Sequence, residues 1–160
     1  MPQGTSPIWS QVETPGSLNG PSMIHLLNPV GSGKVIKLRH LRVYLSVGLI
    51  CKVRRTSSPV DLAGAGATLA NDLPLHMDER DVTSIVGELR GTNFPNGVTF
   101  TIAQSQWVFT MENYSLGQIV VDSLDFSETI NAGSAVEIVS DSNGAGQVMR
   151  VFAIWDEENA

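Results

Sequence analysis

The sequence predicts an all-β protein built as an antiparallel β-sandwich, with a jelly roll as the expected arrangement. Two observations carry this prediction. Short apolar runs with alternating polarity recur along the chain, and clusters of Gly, Asn, Ser and Pro separate them. A chain of 160 residues can bury one substantial core, so a single domain is expected. We assign the sandwich to residues 23–160 and an extended, flexible N-terminal arm to residues 1–22.

The composition of the arm differs from that of the rest of the chain. Sixteen of its 22 residues are Pro, Gly, Ser, Thr, Asn or Gln. Such a segment buries too little apolar surface to offset the entropy lost on ordering. Ile8, Trp9 and Val12 are apolar residues in the middle of the arm, and we take them as candidate partner-binding residues. They either fold back onto their own domain or anchor the arm on a neighbouring subunit, and both interpretations are open at this point.

Strands are expected on both sides of a turn at residues 28–33. In the second of these runs, residues 35–47, the apolar positions change parity near His40, which predicts a bulge or a bend. The chain is expected to continue as a strand through residues 48–55, with Cys51 facing inward. The connection over residues 56–78 is long for a compact domain, which is typical of functional loops. Its residues 67–73 are compatible with a short helix.

The second half of the chain predicts further short strands. They are expected at residues 82–89, 98–111, 119–121 and 124–126. Residues 135–140 and 148–155 flank a turn-rich segment at 141–147, a pattern that predicts a hairpin. The last strand is largely apolar on both faces, which predicts burial on both sides. The charged tail, residues 156–160, is expected to be solvated.

Charge is distributed unevenly in this chain, whose formal net charge is −6. Residues 1–60 contain seven bases and one acid, whereas residues 61–160 contain three bases and fifteen acids. Opposite charges are expected to pair across the sheets of one chain, or alternatively between neighbouring subunits. The acidic excess, with no aromatic residues interleaved among the bases, argues against nucleic-acid binding. No apolar stretch approaches the ~20 residues of a spanning helix, so no membrane association is expected.

No catalytic constellation is visible, and neither enzymatic activity nor a cofactor is expected. The sequence Gly31-Ser32-Gly33-Lys34 lacks the first Gly and the final Ser or Thr of a phosphate-binding loop. There is no Gly-x-Ser-x-Gly motif for a hydrolase nucleophile. The single cysteine, Cys51, excludes an intrachain disulfide and is expected to be a buried apolar residue, which suits synthesis in a reducing cytoplasm.

Metal binding is not expected either. The three histidines lie in separate segments and lack the spacing of a metal site. The segment His76-Met-Asp-Glu79 could hold a cation, but a solvated turn is the favoured interpretation. The carboxylates of residues 122–128 lack the calcium-loop pattern, so a charged surface is the default.

Two segments together resemble a known group of proteins. They are His25-Leu-Leu-Asn-Pro-Val-Gly-Ser-Gly-Lys34, and Ile130-Asn-Ala-Gly-Ser-Ala-Val-Glu-Ile138 with a later strand that ends Ile154-Trp-Asp-Glu157. This combination resembles small structural proteins of tailed bacteriophages, and it is most similar to jelly-roll head-decoration (cement) proteins.

The resemblance implies a non-enzymatic virion protein that is made in the host cytoplasm. It would bind the major capsid protein on the capsid exterior as a homotrimer and stabilise the mature head. Two alternatives stay open. One is another virion component, such as a neck, baseplate, tail or receptor-binding jelly-roll protein. The other is a carbohydrate-binding β-sandwich module, which would need exposed aromatic residues on one face.

Overall fold

A computed structural model of the chain describes residues 5–16, 20–46, 51–69, 72–98, 107–111, 119–140 and 148–160. Within these ranges the protein is all-β, and no helix occurs. The strands in chain order are β1 (Ile8–Glu13), β2 (Ser22–Leu27), β3 (Lys34–Leu45), β4 (Cys51–Thr56), β5 (Thr68–Leu69), β6 (Asp72–His76), β7 (Glu88–Asn93), β8 (Trp107–Met111), β9 (Ile119–Ile130), β10 (Ala135–Ser140) and β11 (Met149–Asn159).

The strands form two antiparallel sheets that pack as a β-sandwich, which confirms the predicted fold class. One sheet has the order β6-β1-β11-β3-β9, and the other has the order β5-β7-β2-β10-β4-β8. Along most of the chain, consecutive strands belong to opposite sheets. Strands β1 to β4 alternate between the sheets, and so do β8 to β11. The segment that carries β5, β6 and β7 lies between these two blocks and adds strands to the edges of both sheets.

This alternation overturns the predicted hairpin of residues 135–140 and 148–155. Strand β10 pairs with β2 and β4 in the six-stranded sheet, whereas β11 pairs with β1 and β3 in the other sheet. The reason is that each strand has an apolar inner face, and placing the two in facing sheets buries both faces against each other. The predicted turn at 141–147 lies outside the described residues.

Part of the predicted N-terminal arm is a strand of this sandwich. Strand β1 pairs with β11 from Ile8 to Glu13, and its other edge pairs with β6. Ile8 and Val12 are fully buried in the core of their own chain. The period of two, with apolar residues at positions 8 and 12 facing inward, explains why so polar a segment still forms a strand.

The parity change near His40 is a bulge, as predicted. Ile154 is opposite His40, but the next residue of β11, Trp155, is opposite Leu38, so Arg39 is the extra residue in the ladder. Because of this extra residue, Leu38 and Leu41 both face the core although their positions differ by an odd number.

Four predictions of secondary structure are corrected. The described part of residues 67–73 forms no helix, because β5 and the start of β6 extend the sheet edges there. Residues 51–55, the described part of the segment 48–55, do not extend the preceding strand, since β4 belongs to the other sheet. The predicted strand at 82–89 begins only at Glu88, and the two expected pieces at 119–126 are one strand, β9.

The last strand, β11, is buried on one face and only partly covered on the other. Met149, Val151, Ala153 and Trp155 are fully buried, while Phe152 on the opposite face is partly exposed. The prediction of burial on both sides is therefore wrong for this strand. The expected solvated tail is also wrong at Glu157, which is 3% exposed because it continues the inward-facing row of β11.

Asn28 joins the two turns that lie at one end of the sandwich. Its side-chain amide donates to the backbone oxygens of Lys34 and Ile130, both at 2.9 Å, and its Oδ1 accepts from the Ser32 hydroxyl at 2.7 Å. Its backbone N–H and C=O bond to Ser134 and Gly133. Asn28 is fully buried, so every one of these bonds replaces a lost contact with water.

Glu157 holds residues 86 and 87 against the core. Its carboxylate accepts from the backbone N–H of Gly87 at 2.7 Å, from that of Val86 at 3.0 Å and from the indole N–H of Trp155 at 3.1 Å. A Cβ on Gly87 would lie 2.8 Å from the Trp155 indole nitrogen, so only glycine allows this approach. These bonds use N–H groups that a sheet ladder would need, which explains why the strand starts at Glu88.

Replacement of Glu157 by Ala should lower the free energy of unfolding by about 3 kcal/mol, because three buried donors lose their acceptor. Glu158→Ala is the matched control. Its side chain is 52% exposed and pairs with Lys37 at the surface, so the expected loss is below ~1 kcal/mol. Urea unfolding followed by tryptophan fluorescence measures both values. Equal losses for the two variants would contradict the role given to Glu157.

Candidate functional site

His76, in the segment that was expected to be a solvated turn and not a cation site, has a structural role. The two ring nitrogens of His76 lie 3.2 Å from the Ser6 carbonyl oxygen and 2.8 Å from that of Thr83. Asp81 accepts from the backbone N–H of Ser6 at 2.7 Å and of Thr83 at 2.9 Å. The hydrogen bond from the Thr83 hydroxyl is the main reason why the pKa of Asp81 lies well below its usual range. The backbone N–H groups of Ser6 and Thr83 and the electrostatic interaction with His76 lower this pKa further. These contacts fasten the segment before β1 to the loop after β6.

No group of three potential metal-ligating side chains occurs in the part of the chain that the structure describes. The glycine turn at residues 31–34 is likewise structural, because Gly31 and Gly33 adopt positive φ and the Ser32 hydroxyl bonds to Asn28. Cys51 is fully buried, as predicted. Across the described ranges, no helix is long and apolar enough to cross a membrane.

Bases of the first half of the chain pair with acids of the second half, as the first interpretation of the charge distribution predicted. At the surface, Lys37 pairs with Glu158 at 2.7 Å, and Arg55 pairs with Glu128 at 3.2 Å. Beneath the surface, Arg54 pairs with Glu137, whose side chain is fully buried. Antiparallel pairing of early strands with late strands brings these opposite charges together.

The Arg54–Glu137 pair belongs to a longer row of ionisable residues on the outer face of the six-stranded sheet. Arg90 on β7 is opposite His25 on β2, His25 is opposite Glu137 on β10, and Glu137 is opposite Arg54 on β4. We call these four residues the ionisable row. Adjacent strands of a sheet lie about 5 Å apart, so the row crosses four strands within about 15 Å.

Residues 57–67 cover the ionisable row. The backbone N–H of Val60 donates to Glu137 at 2.9 Å, and Leu62 is buried in a small apolar cluster with Met23, Phe94 and Val139. Part of the long connection predicted to be functional is thus a cover over charged groups. Sequence reasoning did not find this row, because its members lie on four strands and no local spacing relates them.

His25 is the unusual member of the row. It is 2% exposed, and neither ring nitrogen has a hydrogen-bond partner among the described residues. Burial, followed by the positive charge of Arg90, lowers the pKa of His25 from 6.5 to about 4, against a smaller raising effect of Asp61. The ring is therefore neutral at neutral pH.

A second candidate site lies on the outer face of the five-stranded sheet. Leu75 is opposite Trp9, Trp9 is opposite Ile154, and the Trp9 and Phe152 rings lie 6.1 Å apart with a tilt of 34°. We call Leu75, Trp9, Ile154 and Phe152 the apolar stripe. All four are at least partly exposed, and Leu75 is 51% exposed. Exposed apolar surface of this kind is typical of an interaction site.

Of the three candidate partner-binding residues, only Trp9 reaches this surface. Ile8 and Val12 face the opposite way, into the core. Sequence composition did not distinguish the three residues. The alternation of side chains along β1 places Trp9 on the outer face and Ile8 and Val12 on the inner face. Leu73 and Met77, 76% and 49% exposed, extend the apolar surface along β6 and the residue after it.

Stability should fall as the pH is lowered through the window set by His25. Its pKa is 6.5 when unfolded and about 4 when folded, so the unfolded chain takes up the proton first. The contribution of His25 to the free energy of unfolding is complete above pH 6.5. It is lost progressively as the pH falls to 4, by roughly 3 kcal/mol in total. Urea unfolding of the protein and of His25→Leu between pH 7.5 and 4 measures the difference. Parallel pH profiles would show that His25 is not the titrating group.

Comparison of the chain with protein-family models, with curated proteins and with solved structures finds no match in any of the three. The two sites described above are therefore the basis for assigning a function.

Proposed function

We propose that this protein is a non-enzymatic structural component of a tailed-phage virion, and that it binds the outer surface of the capsid as an oligomer, with a homotrimer as the expected form. The observation that carries the proposal is the apolar stripe. It is a partly exposed surface that combines two aromatic rings with two aliphatic side chains. Aromatic anchors of this type dominate the energy of protein–protein interfaces.

The strand order supports a jelly-roll assignment, the fold that the resemblance implies. The set β1-β11-β3-β9 faces the set β2-β10-β4-β8, and the chain changes sheet between most consecutive strands. Two Greek keys built on eight strands define that fold. On this assignment, β5, β6 and β7 are additions to the eight-stranded plan, and β6 brings Leu75 beside Trp9.

The two segments that carry the resemblance also form one structural unit. Strand β2 pairs with β10 along its whole length, and Asn28 bonds to backbone atoms of Ile130, Gly133 and Ser134. Their shared role is to connect the sheets at one end of the sandwich. The Asn-Pro-x-Gly-Ser-Gly turn and the Asn-Ala-Gly turn are therefore bonded to each other through Asn28.

The apolar stripe also favours a second candidate, a carbohydrate-binding module. Trp9 and Phe152 lie side by side on a sheet face, where sugar rings could stack on them. The two candidates differ in the partner, since one requires a protein lattice and the other a glycan. A glycan array and a head-binding assay with the same purified protein separate them.

Leu75→Ser should weaken binding to isolated phage heads at least about tenfold, because it removes the most exposed side chain of the apolar stripe. Sedimentation of labelled protein with heads measures the affinity, and the temperature at which the heads rupture measures stabilisation. Trp9→Ser should give a larger loss, with folding checked by circular dichroism.

Val30→Ser is the matched control for this experiment. Val30 is 89% exposed but lies in the turn between β2 and β3, away from the apolar stripe. It should bind heads as the unaltered protein does. Equal binding by the Leu75, Trp9 and Val30 variants would contradict the proposal that the apolar stripe is the contact surface. Light scattering on the free protein then reports whether the stripe instead joins copies of this chain.

A further inference from the structure

A cleft of about 300 Å³ opens beside the ionisable row, between the turn after β2 and the loop that covers the row. Its walls are mostly apolar and include Leu27, Pro29, Val30, Pro59, Val60 and Leu62. His25 and Arg90 also line it, and Asp61 lines it from the loop. Apolar walls around a few polar groups are typical of small-molecule sites.

Three buried nitrogens at this cleft have no hydrogen-bond partner among the described residues. They are Nδ1 and Nε2 of His25 and Nε of Arg90. Buried polar atoms are almost always hydrogen-bonded, so three unsatisfied atoms on two residues that line one cleft require an explanation. Arg90 does pair with Glu88 at 2.7 Å, but that contact uses a terminal nitrogen and leaves Nε free.

The chemistry of these nitrogens selects the ligand. The Nε–H of Arg90 can only donate, and a protonated imidazole donates from both nitrogens. When His25 is protonated, the two residues present donors and no acceptor, an arrangement that complements the two oxygens of a carboxylate. A metal ion fits less well, because no group of three ligating side chains occurs among the described residues. The apolar walls select a ligand whose carboxylate is attached to an apolar body.

We propose that this cleft binds a small carboxylic acid with an apolar body, with its carboxylate between His25 and Arg90, and that His25 takes up one proton from solvent on binding. The proposal is independent of the capsid function, because it uses the outer face of the other sheet.

The surrounding charges explain the coupling to a proton. Arg90 from β7 opposes protonation of His25 and lowers its pKa, whereas Asp61 from the covering loop raises it. Glu137 on β10 is engaged by Arg54 and by the Val60 N–H. Glu88 on β7 is paired with Arg90. A bound carboxylate adds the negative charge that offsets Arg90, so the protonated ring becomes stable in the complex.

Benzoate is the probe, with benzamide as its neutral counterpart. Titration followed by NMR should shift the His25 ring signals and the amides of the cleft with benzoate, and not with benzamide. Affinity should rise as the pH falls from 7.5 to 5.5, approaching about tenfold per pH unit where one proton is taken up. Equal responses to benzoate and benzamide, a flat pH dependence or no shift at all would each overturn the proposal.

Variants at the mouth of the cleft test the charge requirement without disturbing the buried row. Ala63→Glu adds a charge at the mouth and should weaken binding, whereas Ala63→Gln, of the same size, should not. If both Ala63 variants behave alike, the cleft is not an anion site. His25→Leu should abolish binding if it folds.

Discussion

The constraint on which the rest of the structure depends is that β2 and β10, in the middle of the six-stranded sheet, are buried on both faces. All six residues of β10 are buried, and so are five of the six in β2. The inner face packs on the other sheet, while residues 57–67 and Phe94 cover the outer face. The five-stranded sheet lacks such a cover on the described residues of β1 and β11, whose outer faces are partly exposed. This difference places the two candidate sites on opposite sides of the sandwich.

Burial of an outer face that carries charges has energetic consequences. A charge removed from water is costly unless a partner compensates it, and breaking such a pair costs about 3–5 kcal/mol. Arg54 and Glu137 compensate each other, and the Val60 N–H supplies a further bond. His25 is buried without such a partner among the described residues, and it avoids the cost of a buried charge because its ring stays neutral. The surface pairs, such as Lys37 with Glu158, contribute far less.

The two proposed sites also differ in how exposed their sheet faces are. The apolar stripe lies on a partly exposed face, where a large flat partner can approach without rearrangement of the chain. The cleft at His25 is small and lies beside a covering loop, so it suits a ligand of a few atoms rather than a protein surface. Both surfaces depend on the segment between β4 and β8. Its first part, residues 57–67, forms the cover, and its β6 supplies Leu75.

Local sequence patterns by themselves determined the fold class, the bulge near His40 and the inward position of Cys51, whereas they left open whether early bases pair with late acids within one chain or between subunits. These features follow from a period of two and from composition, which are properties of neighbouring residues. The assignment of β10 and β11 to different sheets, the inclusion of β1, the burial of Glu157 and the ionisable row were decided only by tertiary structure. The physical reason is that each depends on which distant strands pair. His25, Glu137 and Arg90 are separated by dozens of residues, and only the sheet places them side by side.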